Sequence, residues 1–86
     1  MTAKDIESKT RKVLIERFPE AAALHPDSLA MENVAEWDSM AQVEVVVALE
    51  LLFGIEADTR LVEARSLCEL AAAVETLLEG AATPVS

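Results

Sequence analysis

Residues 38–55 read D-S-M-A-Q-V-E-V-V-V-A-L-E-L-L-F-G-I, a spacing that predicts one helix with both ends marked. Ser39, followed three residues later by Gln42, has the form of a capping box. In it the hydroxyl accepts from the Gln42 N–H and the Gln amide reaches back. Asp38 places a carboxylate where the exposed N–H groups and the positive end of the helix dipole favour one. Gly54 after Phe53 is the usual left-handed stop.

This helix is apolar on two sides. At about 100° per residue, Val45, Val46, Leu49, Leu52 and Phe53 share one face, which is a sufficient core stripe. Burying those five contributes about 8–15 kcal/mol before chain entropy is subtracted. Met40, Val43, Val47 and Leu51 form a second stripe nearly opposite, flanked by Glu44 and Glu50. A surface helix needs only one. The second requires another element, a ligand or a partner to cover it.

The same residues carry a family resemblance. E-W-D-S-M-A-Q-V-E-V-V-V-A-L-E-L-L-F-G-I resembles the phosphopantetheine-attachment helix of acyl carrier proteins through its whole length. The marks are D-S-[LM] at a helix start, then Glu44, Leu49, Glu50, Phe53, Gly54 and Ile55. A looser likeness in length and helix order spans about residues 5–78.

The rest of the chain suits a small helical domain. Its 86 residues are 52% hydrophobic, enough for one core burying about 60–65% of the unfolded surface. Alanine, leucine, valine and glutamate dominate, while glycine, proline and aromatics are scarce. Glu50 interrupts the longest apolar run, so no membrane span is expected. The start M-T-A-K-D-I-E lacks an apolar signal region, and the single Cys68 allows no internal disulfide. Together these predict a cytoplasmic protein.

The net charge of −9 is unevenly placed. Residues 1–17 are weakly basic, whereas residues 18–59 carry nine acids and no Lys or Arg. Such a surface repels nucleic acid and anionic lipid and attracts basic protein patches. A merely solubilising acidic face is the alternative.

Along the chain, Ile6, Val13, Leu14 and Phe18, with Ala3 and Thr10 on the same side, predict an amphipathic first helix over 3–17. Pro19 closes it. Residues 19–37 form a long connection with a turn at Pro26, Asp27 and Ser28 and room for a helical turn over 21–24. Leu24, Leu29, Met31 and Val34 are its expected anchors. Asp58 and Thr59 start a short third helix with Leu61 and Val62 as apolar residues. Ser66 and Glu69 form a second capping box opening a fourth. Leu67, Leu70, Ala71, Val74, Leu77 and Leu78 give that helix a core stripe, and Gly80 is its expected end. The predicted fold is all-α: a four-helix bundle of three main helices and a short third one. A single domain over 1–80 is followed by a frayed tail at 81–86.

For function, the resemblance implies that Ser39 bears 4'-phosphopantetheine from coenzyme A and carries acyl groups as thioesters. It implies a bundle of the acyl-carrier type acting as a monomer; the absence of any catalytic constellation in the sequence separately predicts no enzymatic activity of its own. Implied partners are a phosphopantetheinyl transferase and acyl-loading and acyl-transferring enzymes with basic docking patches. Read locally, Ser39 could be only a cap. A helix N-terminus nonetheless suits a phosphodiester. Asp38 fits either a second capping acid or a feature the transferase reads.

By the same resemblance Met40, Val43, Val47, Leu51, Leu61 and Val62 surround the arm, meet partners or line a cleft for the acyl chain. Packing of the stripe beneath Leu61 and Val62 is the alternative. Glu44, Glu50 and Glu63 match acidic positions that meet basic partners, or else they only solvate the surface.

The sequence departs from the family in places. Leu51 and Leu52 stand where acids are common, Trp37 replaces a small residue, and Met40 replaces the commoner leucine. Ala35-Glu36-Trp37-Asp38 occupies the Gly-Gly-His-Ser or Gly-Gly-Asp-Ser place of peptidyl carriers, which favours an acyl over an aminoacyl cargo.

His25 beside Pro26 reads as solvated and Cys68 as a semi-buried thiol. Neither makes a zinc site or a nucleophile–base pair, and the acids lack a calcium-loop spacing. The remaining readings are a peptidyl or aminoacyl carrier, and an unmodified acidic adaptor docking the stripe of residues 40–51 into a basic, apolar groove.

Overall fold

The Thr2 hydroxyl accepts the Asp5 N–H at 3.2 Å and starts α1, Ala3–Arg17. This satisfies one of the donors that a helix start leaves open. The computed structural model describes residues 2–82. After α1 come three short 3-10 turns, Pro19–Ala23, Pro26–Ser28 and Met31–Asn33. Then follow α2 (Ser39–Phe53), α3 (Thr59–Glu63) and α4 (Leu67–Ala82). The fold is all-α, with three main helices and a short third one, and the described residues form no strand.

Apolar spacing explains which faces meet. α1 buries Ile6, Leu14 and Thr10, and Phe18 follows into the core, while Val13 is half-buried. Thr10 is compatible with full burial because its hydroxyl donates to the Ile6 carbonyl at 2.7 Å. α4 contributes Leu67, Leu70, Ala73 and Val74, with Ala71, Leu77 and Leu78 half-buried beside them. From α2 come Ala41, Val45, Val46 and Leu49.

Leu52 departs from its expected place and is about half exposed. The last turn of α2 meets the core only on its Phe53 side, where the chain returns through buried Ile55. Gly80 also departs from expectation: α4 continues through it to Ala82. A helical glycine costs only about 1 kcal/mol, and Ala81 and Ala82 behind it are strong helix formers. Of the expected frayed tail, Ala81 and Ala82 are therefore helical, and residues 83–86 lie outside the described residues.

The long connection is pinned as well as turned. Leu29 and Val34 are buried, and Leu24 and Met31 pack at the edge of the core. Its backbone is also sewn to the α3–α4 junction. The Leu67 N–H donates to Leu29 O at 2.9 Å and the Met31 N–H to Arg65 O at 2.8 Å, flanking an isolated antiparallel bridge of Ala30 with Ser66. At the start of α4 the Ser66 hydroxyl accepts from Glu69 N–H at 3.1 Å. The Glu69 carboxylate reaches one residue further back than a capping box requires, to the Arg65 N–H at 3.0 Å.

Gly54 ends α2 in the left-handed region at φ 64°, ψ 40°. The Ile55 N–H then donates to the Glu50 carbonyl at 3.1 Å, the six-to-one bond of a Schellman stop. A β-carbon at Gly54 would meet nothing within 4 Å, so substitution costs only backbone strain. Gly54→Ala is expected to lose about 1–2 kcal/mol, visible as a lower midpoint in urea unfolding with unchanged slope. Gly54→Asn should lose less. An alanine variant as stable as wild type would contradict the strain account.

Candidate functional site

The start of α2 is built by Asp38, not by Ser39. Asp38 is extended, at φ −106° and ψ −171°, and its Oδ1 accepts the Ala41 N–H at 2.9 Å. The Gln42 N–H goes to the Asp38 carbonyl at 2.9 Å, so the expected Ser39–Gln42 capping box does not form. Ser39 is the first helical residue and is exposed, and its hydroxyl bonds to no other described residue. The N–H groups of Ser39 and Met40 precede the first bonded turn, as the leading donors of any helix do.

The Gln42 side chain turns inward instead. Its Nε2 donates to the carbonyls of Ala64 at 2.6 Å and Val62 at 3.1 Å, with Leu61 O at 3.4 Å. Its Oε1 accepts from Trp37 Nε1–H at 2.7 Å. The partners determine the amide orientation, since an indole N–H only donates and carbonyls only accept. Trp37 is itself buried and stacks on Phe18, with centroids 5.6 Å apart and planes at 22°. One side chain thus joins α2, the end of the long connection and the end of α3. Local pattern does not mark Trp37 and Gln42 as organising residues; their one signal in the sequence is a tryptophan and an amide five residues apart across a helix start.

Around this start the second stripe of α2 stays uncovered. Met40 and Leu51 are each 81% exposed, and Val43, Val47, Leu52 and Val62 are roughly half or more exposed. Leu61 does not belong to that face: it is completely buried, because α3 turns it against the core. The stripe therefore does not pack beneath α3.

The acids divide. Glu44 is paired with Arg17, whose guanidinium carbon lies 5.1 Å above the Phe18 ring. Glu50 is half-buried and its carboxylate accepts the Ala57 N–H at 3.0 Å, holding the turn after α2. Asp58 caps α3 through the Leu61 N–H at 3.1 Å. Glu63 is exposed.

His25 is exposed, and its Nδ1 accepts the Asp27 N–H at 3.2 Å. Cys68 is exposed rather than semi-buried, since it follows Leu67 on the outer side of the first turn of α4. No group of His, Cys, Asp and Glu among the described residues could hold a metal ion, and no described helix is long and apolar enough to cross a membrane. Compared with protein-family models, curated proteins and solved structures, the chain matches none.

Two outcomes follow for stability. Asp38→Ala should cost about 1 kcal/mol by loss of the cap, whereas Ser39→Ala should stay within about 0.5 kcal/mol of wild type, as expected for an exposed side chain without a partner. Thermal unfolding of the pair checks this, and the reverse order would restore Ser39 as the cap. Gln42→Met, which strands the Trp37 donor and two carbonyls, should cost about 1–3 kcal/mol. Faster amide exchange in α3 should accompany that loss.

Proposed function

We propose that this chain is an acyl carrier protein whose Ser39 receives 4'-phosphopantetheine. The observation that carries the reading is an exposed, unbonded serine hydroxyl at the first position of a fifteen-residue helix, directly after a capping aspartate. The resemblance of residues 36–55 to carrier attachment helices supports it.

The residues fit the group. The Ser39 oxygen is accessible to a modifying enzyme, and the leading N–H groups and helix dipole favour a phosphodiester there. Because Asp38 caps α2 through the Ala41 N–H, Ser39 is the first residue of the helix. In the transfer, Ser39 Oγ would be the nucleophile toward the phosphopantetheinyl phosphate of coenzyme A, its proton passing to a base of the transferase as the adenosine bisphosphate departs. The thiol of the bound arm would carry acyl groups as thioesters, the cofactor supplying the reactive atom and the protein supplying position and recognition.

The exposed apolar stripe and exposed Glu63 would face the transferase and the acyl-loading and acyl-transferring enzymes of fatty-acid, polyketide or specialised lipid biosynthesis. Glu44 and Glu50 would contribute charge only alongside their bonds within the chain. An acyl cargo is favoured over an aminoacyl one by Ala35-Glu36-Trp37 before the attachment pair.

A second reading rests on the same uncovered stripe. An unmodified adaptor would dock Met40, Val43, Val47 and Leu51 into an apolar groove with a basic rim.

Incubation with coenzyme A, magnesium and a broad-specificity phosphopantetheinyl transferase should raise the intact mass by one phosphopantetheine. Ser39→Ala should show no gain. Folded protein that several transferases leave unchanged would favour the adaptor.

A further inference from the structure

The carrier reading leaves open where an attached chain would lie, and the inference rests on that reading for the identity of the cargo. We propose that Gln42 closes the bundle interior to an alkyl chain attached at position 39. The chain then rests outside, along Met40, Val43, Val47 and Val62.

Gln42 lies one helical turn from Ser39 on α2, so it stands where a chain from Ser39 would pass between α2 and α3. Its amide ties α2 to the end of α3 by hydrogen bonds to Val62 O and Ala64 O, and its oxygen holds the Trp37 indole. A chain entering there would displace the amide and leave an indole N–H and two carbonyls facing hydrocarbon. A saturated chain offers them no partner. Behind the amide, Leu61, Ala41 and Val45 are buried in the close-packed core, and Trp37 is held by its stack on Phe18.

The outside offers the opposite conditions. Met40, Val43 and Val47 run down α2 from the attachment point, and Val62 of α3 adds to them, all exposed. A chain laid there removes apolar surface from water on both partners and breaks no hydrogen bond. The groove between α3 and α4 is a poorer bed, because Arg60, Glu63, Glu69 and Thr76 line it alongside its alanines.

The test places the chain without any transferase. Ser39→Cys in a Cys68→Ser background is alkylated with iodoacetamides bearing ethyl, octyl or dodecyl groups, and each product is followed by NMR. The expected result is that dodecyl shifts the methyl signals of Met40, Val43, Val47 and Val62. The Gln42 side-chain amide, Leu61 and Ala64 should stay in place from ethyl to dodecyl. In Gln42→Ala, which removes the amide, dodecyl should shift Leu61 and Ala64 relative to ethyl.

Shifts at Gln42, Leu61 and Ala64 that grow with chain length in the Gln42 protein would overturn the proposal. A Gln42→Ala protein in which Leu61 and Ala64 stay in place with dodecyl would overturn the role of Gln42. Failure of every transferase to modify Ser39 would count against the carrier reading alone and leave this result standing.

Discussion

The arrangement of the short third helix depends on one buried amide. α3 has five residues, too few to hold itself as a helix in water. Asp58 caps its start and Leu61 anchors it in the core. Its terminal carbonyls remain, and a helix end buried without acceptors satisfied is costly. Gln42 meets them from α2 and is itself satisfied by Trp37. Because Trp37 stacks on Phe18 at the end of α1, the chain reaches α2 in a set direction. The α2 start, with Ser39 at its first position, and α3 are therefore coupled through a few side chains in a low-dielectric interior, where such networks hold more firmly than exposed pairs.

Most of the helical layout was legible in sequence because periodicity and local stop signals agree there. The bounds of α1, the left-handed stop at Gly54 and the Asp58 start of α3 rest on neighbours within a few residues. The misreadings occur where a distant partner wins. Ser39 and Gln42 satisfy the pattern of a capping box, but the carbonyls of Val62 and Ala64, some twenty residues away, claim the amide, and Asp38 takes over the cap. Leu52 fits the core stripe by angle, yet burial at a helix end depends on where the chain goes next. Gly80 reads as a stop, but its local cost is small and helix formers follow it. The exposure of Ser39 and of the second stripe agrees with the two-faced pattern of α2. Complete burial of Leu61 beside exposed Val62 could not be told from two adjacent apolar residues.

Charge and apolar surface are segregated in a way that bears on association. The acids cluster from residue 18 to 59 while the basic residues concentrate in α1. Part of that acidity is occupied: Asp38 and Asp58 cap helices, Glu50 holds a turn, and Glu44 pairs with Arg17. A negative field survives these bonds, since a capping or paired carboxylate still contributes to the long-range potential that steers a basic partner. Close contact would then rest on the exposed stripe, which is greasier than an acidic docking face because Leu51 and Leu52 stand at its lower end.

The account turns on Ser39 being a point of covalent attachment and not a structural cap. Top-down mass spectrometry of the protein recovered from its own cells tests this most directly, because it reads both the added mass and the residue that bears it. The account predicts a fraction carrying phosphopantetheine, with or without an acyl group, localised by fragmentation to Ser39. Protein recovered entirely without that group, or bearing it at another serine, would contradict it.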